Sequence, residues 1–248
     1  MIKFRTLALA TLAAPLALGL SACNSADEAG VTESEAIDPI EAPAGQSWVD
    51  TTTVSEYDGY VLGNPEAPIK VVEYASLTCP ACAAFAMNGA EQLKNEYVST
   101  GRVSYEIRNQ IHGPHDLALA TMVRCGEKEA FHPLADQVWA NLPEVLGGLQ
   151  QNGGAVQDAV GLPPEQRLVR TAELLGFFDF FKARGLSEDQ ARQCLADETV
   201  YAAIAERSTS QSREFGVEGT PTFFINGSKV DANAWDAIEP LLQKAGAR

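Results

Sequence analysis

The stretch Ile69-Lys70-Val71-Val72-Glu73-Tyr74-Ala75-Ser76-Leu77-Thr78-Cys79-Pro80-Ala81-Cys82 decides how this chain folds. Its first half is a β-branched apolar run with Gly63-Asn64-Pro65 upstream, which reads as a buried strand. At Cys79 the pattern changes. From residue 80 to about residue 98 helix formers dominate, and Cys82, Phe85, Ala86, Ala90, Leu93 and Tyr97 form one apolar stripe at helical spacing. Pro80 suits a first helical turn, where its missing N–H costs nothing. Gly89 falls on the same stripe; it weakens the helix by roughly 1 kcal/mol relative to alanine but permits close packing. Residues 103–107 read as a second strand, so the segment is a β-α-β unit.

Outward from that unit, residues 116–213 are almost wholly helical in pattern. Asp116 is placed to cap the segment that follows it, and Ser187 with Asp189 to start the segment carrying Cys194. Phe177, Phe178, Phe180 and Phe181 read as core of this helical part rather than as a ligand pocket. Strands return at 222–225 and 229–230 around Asn226-Gly227, a strong hairpin signal. That dipeptide also begins a glycosylation sequon with Ser228, but the turn is the more economical reading. A last amphipathic segment spans 233–244 through Trp235, Ile238, Leu241 and Leu242, and Pro240 should kink or split it.

Composition narrows the function. The chain has 248 residues, of which 46% are hydrophobic, enough for one good core, and 33 acidic residues stand against 18 basic. With a formal charge of −15, an exposed basic stripe for nucleic acid is excluded. The five cysteines are Cys23, Cys79, Cys82, Cys125 and Cys194, an odd number that asks for an account.

The N-terminus supplies one. Lys3 and Arg5 precede an uncharged, mostly apolar run over residues 6–20, shorter than the about 20 residues a membrane span needs. The run therefore reads as the core of a signal peptide. Leu20-Ser21-Ala22-Cys23 resembles the lipobox of bacterial lipoproteins, in which the cysteine is lipidated; the alternative is an ordinary signal peptide that leaves Cys23 as a stray thiol. Residues 24–47 carry six acidic side chains and no Lys or Arg, which reads as an extended, self-repelling tether. The expected organisation is a signal peptide at 1–22, an acidic flexible tether at 23–55, and a folded body beyond.

Two cysteines three apart fit half a zinc site, a structural clip or a redox pair. Context favours the last. Cys79 opens a helix, where unpaired N–H groups and the helix dipole favour its thiolate. Cys82 lies on the apolar stripe and should be more sheltered. One acidic thiol to attack and one sheltered thiol to resolve is what disulfide exchange uses. The second constellation is Gly219-Thr220-Pro221-Thr222-Phe223-Phe224-Ile225. A proline opening an inner strand is poorly explained by ladder bonding. A tight Thr-Pro turn with a cis bond would explain it better, although an ordinary trans proline is the commoner case.

Glu73 to Cys82, followed after the helical block by Gly219 to Gly227, resembles the DsbA-type thiol–disulfide oxidoreductases. The resemblance runs from about residue 59 to the C-terminus. It implies an α/β protein, a thioredoxin fold with an inserted all-helical domain: 56–114 and 214–248 thioredoxin-like, 115–213 the insertion. It implies Cys79 as nucleophile, Cys82 as resolving cysteine and Pro221 as the cis-proline. Gly219 and the backbone of Thr220 would bind an extended substrate. Glu73 stands where relatives carry a buried acid that helps move protons; as a strand residue it shares a face with Val71 and Ala75, the alternative being an exposed charge. No cofactor is implied. The implied partners are cysteine-containing exported polypeptides and a membrane or soluble redox partner, met in the periplasm by a lipid-anchored protein. Two departures bear on direction. Ala81 replaces the His that well-known oxidases carry between the cysteines, and Thr220 stands where strong oxidases often have Val and isomerases Thr. Oxidase is the expected role, with reductase or isomerase as the alternative at the same site.

In an oxidising compartment, Cys125 and Cys194 read as a structural disulfide, with a second redox pair as the rival. His112, His115 and His132 lack four-ligand spacing with the cysteines, so no metal is expected. A non-enzymatic metal- or peptide-binding protein on the same scaffold is the reading from another class.

Overall fold

A computed structural model of the chain describes residues 30–248. Cys23 and the signal-peptide segment lie outside the described residues. Two parallel strands form the centre: β3 (Ile69–Ala75) and β4 (Val103–Asn109), with Ile69 opposite Val103 and Ala75 opposite Asn109. Every residue of β4 is buried, as a strand covered on both faces requires. Beside β3 runs β5 (Thr222–Ile225), antiparallel, then β6 (Ser228–Val230). The turn between them has positive φ at Asn226 (49°) and Gly227 (80°), the conformation an Asn-Gly hairpin needs. On the other side, β2 (Tyr60–Gly63) and β1 (Thr52–Val54) extend the sheet to the order β1-β2-β4-β3-β5-β6.

The helix that follows β3 is shorter than its stripe suggested. α1 (Pro80–Asn88) stops at Gly89, then α2 (Ala90–Gln92) leads into a π-helical turn (Leu93–Tyr97). The break is where the last helix docks. A Cβ on Gly89 would lie 2.6 Å from the Trp235 Cβ, so only glycine lets α11 (Trp235–Lys244) pack this closely. Of the expected kink or split at Pro240, the split does not occur: α11 runs through it. It is exposed, so water can reach the carbonyl its missing N–H leaves free.

The helical insertion begins with α3 (Pro114–Val123) and α4 (Phe131–Ala140), continues through α5 (Leu142–Gly147), α6 (Leu149–Ala159) and α7 (Pro164–Leu175), and returns through α8 (Phe177–Lys182), α9 (Glu188–Ala196) and α10 (Glu198–Phe215). The four phenylalanines of α8 are all buried, as core. The Ser187 side chain accepts from the Gln190 N–H and caps α9. Asp116 does not cap α3. The helix starts earlier, at Pro114, and Asp116 turns its carboxylate toward the loop after β3. Cys125 is bonded to Cys194 with Cα atoms 6.0 Å apart, joining the end of α3 to α9.

The acidic stretch expected to be a free tether is docked from Val31 onward. The N–H groups of Ser34, Ile37 and Ile40 donate to the carbonyls of Lys244, Gly246 and Thr100. Trp48 is buried and donates its indole N–H to the Ile40 carbonyl at 2.8 Å. Val31, Ile37 and Trp48 are few and widely spaced but turn inward, while Glu33, Glu35, Asp38 and Glu41 stay exposed. The folded body therefore reaches back beyond residue 56, to include this strap and β1. The strap crosses the end of the sheet where β3 and β4 begin; Cys79 lies beyond the other end. No described helix is long and apolar enough to cross a membrane.

The bond between Cys125 and Cys194 closes a loop with a sequence separation of 69. Chain entropy then predicts that Cys125→Ser with Cys194→Ser lowers the unfolding free energy by roughly 4 kcal/mol, read as a fall in urea midpoint. An unchanged midpoint would show that this bridge does not restrain the unfolded chain.

Candidate active site

Four segments converge beyond the C-terminal end of β3: the loop after that strand, the start of α1, the turn before β5, and the strand position of Glu73. Cys79 is the N-cap of α1, extended at φ −85° and ψ 120°, with Pro80 at the first helical position. Its Sγ accepts the Cys82 N–H at 3.4 Å, replacing the hydroxyl or carboxylate oxygen of an ordinary N-cap. As a thiol it donates to the Thr220 carbonyl at 3.3 Å. Its pKa is lowered to about 5, first by the Cys82 thiol beside it and further by the N–H groups of Cys82 and Ala81, with burial opposing.

Cys82 has no exposure at all. Burial, the neighbouring Cys79 and the Glu73 carboxyl all push its thiol pKa up. Two cysteines of the same chemistry are thus held in opposite states. Both are free thiols here, so the structure is that of the dithiol form.

Glu73 sits at the middle of β3, opposite Ile107 of β4 and Phe223 of β5, and is fully buried. Its Oε2 accepts the Tyr105 hydroxyl, and Oε1 has no partner among the described residues. Burial raises its pKa to about 8; the Tyr105 hydrogen bond works against this and the Cys79 charge adds to it. Near neutral pH the group carries a proton. The exposed-charge alternative is excluded.

The Thr220–Pro221 bond is cis, which resolves the alternative left open by the sequence. Thr220 is half-buried and Gly219 exposed, and the Thr222 hydroxyl ties the turn by donating to the Gly219 carbonyl at 2.7 Å. On the opposite flank, the insertion holds the loop that presents Cys79. Asp116 accepts from the Leu77 N–H at 3.1 Å, the Ser76 hydroxyl at 2.7 Å and the His112 N–H at 2.9 Å. Trp139 of α4 donates to the Ser76 carbonyl at 3.1 Å.

Tyr105, Asp116 and Trp139 were not anticipated as neighbours of the site. Asp116 had been singled out only as a helix cap, and Tyr105 stands among the alternating polar residues of β4 with nothing to mark it. The histidines do not gather at the cysteines. His132 is buried with Nε2 against the Tyr60 carbonyl, and burial lowers its pKa to about 3. His112 meets Asp116 through its backbone N–H, and His115 stands beside the helix start. Among the described residues no three His, Cys, Asp or Glu side chains cluster as metal ligands would.

Residues 55–244 match the family model described as thioredoxin. A Rickettsia conorii protein named "Putative protein-disulfide oxidoreductase" is 27% identical over 216 residues, spanning 84% of this chain and 70% of that one. A crystal structure described as a protein-disulfide isomerase from Novosphingobium aromaticivorans is 28% identical with a TM-score of 0.69, covering 74% of this chain and 94% of its own. Wolbachia pipientis alpha-DsbA1 shares the fold at a TM-score of 0.61 and 22% identity, over 76% of this chain and 91% of that one.

Alkylation of the native dithiol form should modify Cys79 alone, with a rate that follows its thiolate and a midpoint near pH 5. Mass mapping of iodoacetamide adducts across pH 3–9 checks this. A midpoint at the ordinary cysteine value near 8.5 would remove the electrostatic account of the site.

Proposed function

We propose, for a chain that belongs to the thioredoxin family and is a DsbA-like thiol–disulfide oxidoreductase, that it works as an oxidase, donating a Cys79–Cys82 disulfide to exported polypeptides. The observation that carries this is the stabilised Cys79 sulfur, bonded by the Cys82 N–H at 3.4 Å. A thiolate stabilised in the dithiol form favours reduction of the pair, which makes its disulfide a stronger oxidant.

The reaction balances as two thiol exchanges. A substrate thiolate attacks the Cys79 Sγ and forms a mixed disulfide, while the Cys79–Cys82 bond breaks and its electron pair leaves on Cys82. Cys82 is the poorer thiolate of the two, so it must take a proton at once, and Glu73, protonated near neutral pH, supplies it. The second substrate thiolate then attacks the substrate's own sulfur in the mixed disulfide. Cys79 leaves as a thiolate, for which its low pKa makes it the better leaving group. Two electrons now rest on the pair, and a membrane or soluble redox partner must remove them.

Substrate is held by the turn before β5. The Thr220 carbonyl faces the Cys79 sulfur, so an extended segment lying along Gly219 and Thr220 brings its cysteine to Sγ by strand-like pairing. The export signal and the lipobox-like Leu20-Ser21-Ala22-Cys23 support a periplasmic protein anchored by lipid at Cys23. A lipid at Cys23 would hold the body through the strap, which crosses the end of the sheet opposite Cys79.

A second reading, isomerase or reductase at the same pair, is favoured by Thr220 before the cis-proline and by Ala81 between the cysteines, which donates no side-chain hydrogen bond to the thiolate.

Cys82→Ser, first converted at Cys79 to a mixed disulfide with a small aromatic thiol, should exchange that thiol for a reduced, unfolded polypeptide carrying a single cysteine, and should stop there because no second thiol resolves the product. A mixed disulfide through Cys79 should accumulate on non-reducing gels and vanish with Cys79→Ser. Failure to form any Cys79-linked adduct would reject the exchange mechanism.

A further inference from the structure

Behind the cysteine pair, one face of α4 makes three polar contacts, with β2, with the loop after β3 and with the turn beyond α1. His132 bonds the Tyr60 carbonyl at 3.0 Å, and Trp139 donates to the Ser76 carbonyl at 3.1 Å. Asp136 lies between them, four residues after one and three before the other, so it belongs to the same face. Its carboxylate pairs with the Lys94 ammonium, which comes from the π-helical turn beyond α1. The ion pair lines a cleft of about 290 Å³ between α1 and α4, together with Ala86, Met87, Gln137 and Ala140.

Inward, the same face reaches the buried carboxyl. The His132 ring is 5.6 Å from the Tyr105 ring, and the Tyr105 hydroxyl is bonded to Glu73. The other Glu73 oxygen, buried and without a partner among the described residues, leaves that carboxyl open to the field of its surroundings. The helix face that carries Asp136 therefore also carries the His132 ring near Tyr105, the hydrogen-bond partner of the buried proton carrier.

We propose that Lys94 and Asp136 are positioning residues for the exchange reaction, their ion pair governing when Glu73 releases its proton and so when Cys82 can attack. This rests on the proton role given to Glu73 above. The groups facing Glu73 come from every element packed on it: Tyr105 from β4, Cys79 and Cys82 from the start of α1, His132 and Asp136 from α4, and Lys94. From β5 the neighbour is Phe223, which carries no charge. The charges of Asp136 and Cys79 hold the proton on Glu73, and the charge of Lys94 works to release it. Burial keeps His132 neutral, and Tyr105 and Cys82 stay protonated. Apart from Cys79, the ion pair supplies the charges that act on Glu73, and it is open to water, with side chains 17% exposed at Lys94 and 38% at Asp136.

The test is the step in which Cys82 displaces glutathione from a mixed disulfide at Cys79, followed by rapid acid quench from pH 6 to pH 10. In the full chain the rate should rise as Glu73 ionises, below the value of about 8 that the dithiol form gives, because the mixed disulfide removes the Cys79 charge that helps raise it. Asp136→Asn should move that rise to lower pH and Lys94→Met to higher pH, each changing the rate roughly threefold or more at a fixed pH, as half a pKa unit requires. Lys94→Met with Asp136→Asn together should return the profile toward the parent. In a Glu73→Gln background none of the three should shift it, and urea midpoints show that each variant is folded. Profiles that stay put, or that move the same way for both single variants, overturn the proposal while leaving Glu73 in its role. A rise that survives Glu73→Gln at the parent's pH overturns both.

Discussion

One hydrogen bond organises this molecule: the Cys82 N–H, at the first turn of α1, donating to the Cys79 sulfur. A helix N-terminus has N–H groups with no carbonyl to meet, and an anion placed there satisfies them in a favourable dipole field. Putting a cysteine at that position turns a folding requirement into redox chemistry. Pro80 suits the same place because it has no N–H to waste. The rest of the fold aims and holds this arrangement. β3 delivers the chain to the edge of the sheet, the turn at Thr220 and Pro221 closes one side, and Asp116 from the insertion fixes the loop on the other. The insertion is therefore part of the site's scaffold as well as a flank to it.

The second constraint is the contrast between the two sulfurs. Cys79 is held toward the thiolate and Cys82 toward the thiol, although they are neighbours on one helical turn. Desolvation alone would push both up. The asymmetry arises because the Cys82 thiol, and after it the unpaired N–H groups, stabilise the Cys79 sulfur, whereas Cys82 faces the core and a buried carboxyl. Glu73 belongs to that core for the same reason. An unpaired carboxyl in the middle strand of a sheet costs stability, and the proton it carries near neutral pH is what the Cys82 sulfur needs when it leaves.

Much of this was legible in the sequence, and the parts that were not share a cause. Residues 69–107 read correctly as strand, helix and strand because periodicity and the Cys79-Pro80 junction agree, and Asn226-Gly227 placed its hairpin through turn chemistry. Ser187 was read correctly as a cap because N-capping is local. The strap was misread because its charges are conspicuous while its anchors, Val31, Ile37 and Trp48, are far apart in sequence and find their partners at Thr100 and the C-terminal tail. Asp116 looked like a local cap and instead serves a loop forty residues earlier. β1 and β2 were missed because they are short and flanked by turn residues. Pro240 stays within α11 because its free carbonyl faces water. Tyr105 and the Lys94–Asp136 pair acquire their meaning only when β4, α4 and the turn beyond α1 come together around Glu73.

The central claim is that stabilising the Cys79 thiolate makes this disulfide a donor. Equilibration of the Cys79–Cys82 pair with glutathione buffers, read by mass or by gel shift, gives its reduction potential directly. The account predicts a value on the oxidising side of glutathione, toward the roughly −120 mV of strong disulfide donors. A value near the about −270 mV typical of thioredoxin would contradict it.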